Sequence, residues 1–209
     1  HDGGGAWGLA VLDLSGGRLT VQQLDADEAL AGELERLSPA ELLVDEDAAP
    51  PACLRDRPGV TRRPAWHFDL DSAERLLSEQ FGTRDLGGFG CADQPLAVTA
   101  AGCLLRYVQD TQRSALPHIR GLSVERRDEA VIIDAATRRN LEIEHSLSGQ
   151  PRHTLVGVLD RTATAMGSRL LRRWLNRPLR DAAAVRARHQ AIGVLLDRLV
   201  HTPLQDLLR

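Results

Sequence analysis

Four arginines, Arg169, Arg172, Arg173 and Arg177, crowd one stretch of the chain and make its densest positive charge. Guanidinium groups three and four positions apart share a helix face, where a row of phosphates could meet them. The competing reading is a solvated face beside the apolar Leu170, Leu171 and Leu175, and both readings stand. A second candidate is Arg62-Arg63-Pro64 followed by Trp66 and Phe68, a mixture that can stack and clamp a single strand. The plainer alternative, that the aromatics cover the edge of a core under the arginine stems, is preferred. The third is "DAATRRNLEI" at 134–143, with Asp134 placed as an N-cap and Arg138 four residues before Glu142.

Much chemistry is excluded. All 26 basic residues are Arg, so no phosphate loop with its essential Lys can form. "DLGGFG" at 85–90 does not sit between a strand and a helix at nucleotide-loop spacing, and no G-x-S-x-G is present. Cys53, Cys91 and Cys103 are odd in number and widely spaced, which argues against a disulfide framework or a zinc site. His145 and His153 have no ligand-like neighbour at helical spacing. No apolar run approaches a membrane span and no signal peptide opens the chain, so a soluble, cytoplasmic protein without a membrane partner is expected. The absence of an initiating Met and the interrupted helical pattern at the end suggest a piece of a longer protein.

Charge is shared unevenly. Residues 1–118 hold 10 Arg against 19 acidic residues, net −9, whereas residues 119–209 hold 16 Arg against 10, net +6. The first part is a poor DNA binder and the second could face phosphates.

The elements that must position these residues follow from pattern. "AWGLAVLDL" and "RLTVQQL" flank "SGG" at 15–17, a hairpin whose Gly16 and Gly17 supply positive backbone angles. "DADE" at 25–28 reads as a capping box before a helix with Leu30, Leu34 and Leu37 on one face. "AELLV" at 40–44 reads as a buried strand, and 45–58 as an acidic, Pro-rich loop. "DSAE" at 71–74 opens a helix stopped by Gly82, with Leu76, Leu77 and Phe81 inward. Residues 97–113 form a third helix, ended by Pro117. Short extended pieces follow at 122–125 and 130–134, and helices thereafter, capped by Asp134, Thr154, Thr164 and Asp181. The last helix carries Val185, Ile192, Leu195 and Leu199. The first part is therefore α/β, the second all-α, with a boundary near 118–130.

The hairpin, helix and strand resemble the start of a ribonuclease H-like fold. That resemblance implies a metal-binding carboxylate on the first strand, which Asp13 would supply, with Asp45, Glu46 or Asp47 as a second ligand. A metal-dependent nuclease using Asp13 is thus the alternative function. Asp13 as a turn cap and 45–47 as a solvated loop is preferred, because no third carboxylate is evident.

Four stretches in order, "FGTRDLGGFG", "AAGCLLRYVQDTQRSALPHIR", "VIIDAATRRNLEI" and "TLVGVLDRTATAMGSRLLRRWLNRPLRD", are similar to the MutS family of DNA mismatch-repair proteins. The resemblance implies a non-catalytic, ribonuclease H-like connector domain at 1–118, a linker at 119–130 and the start of the helical core domain at 131–209. It implies that Asp134, Arg138, Arg139, Asn140 and Glu142 hold the helix by which the chain enters the core. It also implies MutL as a partner docking on the connector, where the pattern of the helix opened by Asp71 leaves Glu74, Arg75, Ser78 and Glu79 as the exposed face offered. Charge density, not the resemblance, makes Arg169, Arg172, Arg173 and Arg177 the DNA-facing candidates. The family's F-x-E mismatch wedge is not found, since Phe68, Phe81 and Phe89 precede Leu70, Thr83 and Cys91. ATP, Mg²⁺ and mismatched double-stranded DNA are expected to act in a full-length, homodimeric parent rather than here. No enzyme activity, metal or cofactor is expected of these residues.

Overall fold

The computed structural model describes His1, residues 4–112 and residues 116–208. The chain divides into two compact units, unit 1 at His1–Glu125 and unit 2 at Arg126–Arg209.

Unit 1 begins with strands β1 (Trp7–Asp13) and β2 (Arg18–Leu24), an antiparallel hairpin in register Leu9 to Gln22 and Asp13 to Arg18. Of the two expected turn glycines only Gly17 has a positive φ, 62°, and a Cβ there would also stand 2.4 Å from the His118 carbonyl oxygen. Helix α1 (Asp27–Leu37) follows, but the capping box expected at 25–28 is not the N-terminus. The N-cap is Ala26 without a side-chain bond, and the Asp27 carboxylate accepts from Trp7 Nε1 at 2.8 Å. Strands β3 (Leu42–Asp45) and β4 (Val60–Arg63) pair in parallel, Leu42 to Val60 and Asp45 to Arg63. Sequence reading missed β4, since half of its four residues are arginines.

Helix α2 (Leu70–Phe81) is capped by Asp69, which accepts from the Ser72 amide at 2.9 Å, so the cap lies two residues before the expected Asp71. Gly82 closes it in the left-handed region, as the pattern requires. Helix α3 (Pro95–Gln112) and strand β5 (Leu122–Val124) complete the unit; the expected helix end at residue 113 lies outside the described residues. β5 lies parallel to β2, giving the order β1-β2-β5.

Period-two alternation divides the hairpin between two cores. Ala10, Leu12, Leu19 and Val21 pack with Leu77, Leu105 and Val108 of α2 and α3. Leu9, Val11 and Leu24 pack with Leu30 and Leu34 of α1. Helices thus cover both faces of the strands. Gly8 shares the face of Ala10, and the absence of a side chain there lets α3 close in. A Cβ on Gly8 would stand 1.8 Å from the Leu96 carbonyl oxygen. Between the sheets, residues 8–12 of β1 face Leu42 and Leu43 across a cavity of about 650 Å³ floored by Cys103 and Tyr107.

Unit 2 is built from short helices: α4 (Ala135–Asn140), α5 (Leu155–Leu159), α6 (Ala165–Asn176), α7 (Ala182–Asp197) and α8 (His201–Leu207). Asp134, Thr154, Thr164 and Asp181 each accept a backbone amide at the start of a helix. The unit is closed by its first residues. Val131 donates to the Pro178 carbonyl at 2.8 Å, and the Arg180 amide donates to the Glu129 carbonyl at 3.0 Å. The single last helix expected through Leu199 is broken there, because Leu199 takes φ 52° and the chain restarts as α8. Ala130, Ile143 and Val156 are the buried apolar side chains among the described residues of the unit. No helix among the described residues is long and apolar enough to cross a membrane.

Candidate interaction surfaces

The stretch at 134–143 forms a joint inside unit 2. The Asp134 carboxylate accepts from the Thr137 amide at 2.7 Å and from its hydroxyl at 3.1 Å, which holds its pKa below the ordinary carboxylate value. Arg138, half-buried, donates to the side-chain and main-chain oxygens of Asn176 at 2.5 and 3.1 Å, tying α4 to the end of α6. The helical pairing of Arg138 with Glu142 has no helix to stand on. α4 stops at Asn140, and Glu142 takes φ 45° with its carboxylate accepting from Ser146 Oγ and the Leu147 amide. Arg139 and Asn140 point outward and are exposed.

The four arginines of α6 do not act as one row. Arg169, Arg172 and Arg173 are exposed and Arg177 is half-buried. Arg172 pairs with Glu144 at 3.3 Å. Arg177, past the helix end, pairs with Glu129 at 3.7 Å and donates to the Arg126 carbonyl at 2.5 Å. Leu170, Leu171 and Leu175 lie beneath them, half-buried.

On α2, Ala73 and Leu77 are buried, and Leu76 and Phe81 pack against the same core. Glu74, Arg75 and Glu79 are exposed, whereas Ser78 is half-buried. Arg75 folds back along the helix, with Nε on the Asp71 carbonyl at 3.2 Å.

The Arg62-Arg63-Trp66 stretch divides in a way the sequence did not foretell. Arg63 turns inward: Nη2 lies 3.2 Å from Nδ1 of His67 and 3.8 Å from Asp110, and the guanidinium stands 5.5 Å from the Tyr107 ring centroid. Trp66, expected to cover the core edge, is 65% exposed instead. His67 takes the inward place. Burial, then the charges of Arg63 and Arg106, pulls its imidazole pKa below the ordinary value.

Asp13 accepts from Ser15 Oγ at 2.8 Å and from the Gly16 amide at 3.1 Å, the bonds of a turn cap. Asp45 accepts from the Asp47 amide at 3.0 Å. Among the described residues no three His, Cys, Asp or Glu side chains converge as a metal would require. Burial pushes the Cys103 thiol up to about 11 and raises Cys91 and Cys53 too, so these groups are held as thiols.

At the last residue of unit 1, Glu125 accepts from Arg18 at 3.3 Å and from Arg36 at 3.2 Å, and Arg36 also pairs with Glu33. Sequence spacing could not disclose this network, because its members come from β2, α1 and the end of β5.

Compared with known families, residues 1–120 match the model of MutS domain II and residues 136–209 that of MutS domain III.

Proposed function

Since the chain belongs to the MutS family of DNA mismatch-repair proteins, we propose that it couples a mismatch-reading part to an ATPase part and offers MutL a docking surface. The observation that carries this reading is the order of the two matched domains, neither of which is the family's ATPase domain. In this reading unit 1 is a ribonuclease H-like connector without catalysis and unit 2 the start of the helical core. The linker expected at 119–130 does not stand apart, because Ile119 and Leu122 are buried in the core of unit 1 and Leu122–Val124 is its strand β5. The antiparallel hairpin, the parallel β5 and the helices on both faces of the strands fit that fold. ATP, Mg²⁺ and mismatched double-stranded DNA are engaged by a longer, homodimeric protein in the cytoplasm.

MutL is assigned to the α2 face of Glu74, Arg75, Ser78 and Glu79, whose charges would steer association more than strengthen it. Exchanging Arg75→Glu and Glu79→Arg together should weaken MutL binding and leave the thermal midpoint nearly unchanged. Equal affinity at low and moderate salt would remove α2 as the docking surface.

The arginines of α6 are assigned to DNA. Binding of this chain to duplex DNA should be weak and fall with salt. It should respond more to Arg169→Ala than to Arg177→Ala, since Arg177 is committed to Glu129 and Arg126. A metal-dependent nuclease is not favoured, because the Asp13 carboxylate is engaged in its own turn. Cleavage of labelled DNA or RNA with Mg²⁺ or Mn²⁺, abolished by Asp13→Asn, would reverse that preference.

A further inference from the structure

Among the described residues of unit 1, Leu14 and Trp66 are the large apolar side chains left exposed, and Trp66 is the more exposed, at 65%. An indole in water forgoes the burial that every other aromatic of this unit obtains at least in part. Its mount is firm. Trp66 belongs to the 3₁₀ turn Ala65–Phe68, the His67 amide donates to the Pro64 carbonyl at 2.9 Å, and the buried His67 ring lies against the indole.

Beside the indole is a slot of about 100 Å³, lined by Trp66, Ser72, Leu76, Gly102 and Arg106 among others. Gly102 allows the helices beneath it to touch, since a Cβ there would stand 2.4 Å from that of Ala73. Arg106 is exposed at the rim. Its neighbour Arg63 is spent on His67 and Asp110, whereas no hydrogen bond or ion pair engages the Arg106 guanidinium among the described residues.

We propose that Trp66, the slot and Arg106 are the anchor of the docking surface, receiving one aliphatic side chain of the partner in the slot and a carboxylate on Arg106. The proposal rests on the MutS reading above, with MutL as the partner. The slot suits a single aliphatic side chain and is too small for a nucleobase with its sugar. An unengaged guanidinium calls for an anionic acceptor, and unit 1, with 11 Arg against 20 acidic residues, repels a polyanion but not one carboxylate. The slot is also continuous with the face already assigned, because Ser72 and Leu76 lie on α2 and Arg75 reaches Ser72 Oγ at 3.5 Å. Trp and Arg are the side chains on which binding energy most often concentrates.

The test measures binding of MutL to the whole chain by interferometry. Trp66→Ala and Arg106→Glu should each weaken it by about tenfold or more, and Trp66→Phe by much less, with thermal midpoints unchanged. Wild-type affinity in Trp66→Ala and Arg106→Glu, alongside weakened binding in the α2 double exchange, would overturn the anchor and leave the docking face standing. No binding of MutL by the wild-type chain would overturn the docking reading and the anchor with it. Capture of a single-stranded oligonucleotide by the wild type, lost in Trp66→Ala, would overturn the proposal in favour of a nucleic-acid site.

Discussion

Nη2 of Arg63 stands 3.2 Å from Nδ1 of His67 and 3.5 Å from its Nε2, so the guanidinium lies over the face of the imidazole. A positive charge held against the ring disfavours its protonation. Its pKa is lowered below 6.5, by burial first and then by Arg63 and Arg106, against weaker opposing pulls from Asp110 and Glu46. With the folded value below the unfolded one, the stabilisation is complete above the unfolded pKa and is lost as pH falls through the folded value. The thermal midpoint should accordingly drop more steeply between about pH 7 and pH 5 in the wild type than in His67→Asn. Parallel pH profiles for the two proteins would show that His67 does not titrate on unfolding.

Gly8 and Gly32 should answer the same substitution with opposite signs. Gly8→Ala drives a Cβ to 1.8 Å from the Leu96 carbonyl oxygen, against backbone that cannot yield cheaply, and should cost about 3 kcal/mol or prevent folding. Gly32 lies within α1 with nothing within 4 Å of its added Cβ, so Gly32→Ala should stabilise by roughly 0.5–1 kcal/mol. Denaturant unfolding of both variants measures the difference, and destabilisation by Gly32→Ala would contradict the open face assigned to α1.

The α4 joint predicts a graded loss in unit 2. Asp134→Ala removes an N-cap and should cost about 1 kcal/mol. Arg138→Ala removes two bonds to Asn176 and should cost about 1.5–3 kcal/mol, reading as faster amide exchange in both α4 and the end of α6. Loss confined to α4 would mean that Arg138 does not tie the two helices together.

The last two helices should be the least protected part of the chain. Ile192, Leu195 and Leu196 of α7 and Leu204 and Leu207 of α8 are exposed, and the Arg188 guanidinium, 4.1 Å from the Trp174 ring centroid, joins α7 to α6. Amides from 181 to 208 should exchange faster than those of α3, and Arg188→Ala should quicken α7 further by removing about 0.5–1 kcal/mol. Slow exchange throughout α7 in a monomer would count against this.

What the sequence disclosed was local. Asp134, Thr154, Thr164 and Asp181 were recognisable as caps because a cap needs only its own next three residues. The hairpin and the inward faces of α1 and α2 followed from periodicity. What was hidden depends on distant partners. Asp27 is taken by Trp7, twenty residues away, so α1 starts without the box its spelling suggests. β4 is a strand because β3 lies beside it, and its arginines give no strand signal. In the candidate surfaces, the outward turn of Trp66 and the inward turn of Arg63 hang on His67, Asp110 and Tyr107. The α6 arginines look like one patch until Glu144 and Glu129 divide them.

The four side-chain caps of unit 2 carry a kinetic consequence. With few buried apolar residues, its helices owe their limits to bonds spanning two or three positions, and bonds that short close almost without loop entropy. Unit 1 must instead bring β5 to β2 across about a hundred residues before its sheet exists. Low contact order favours rapid ordering, so the helices of unit 2 should form early, while the β2–β5 pairing limits the folding rate of the whole chain.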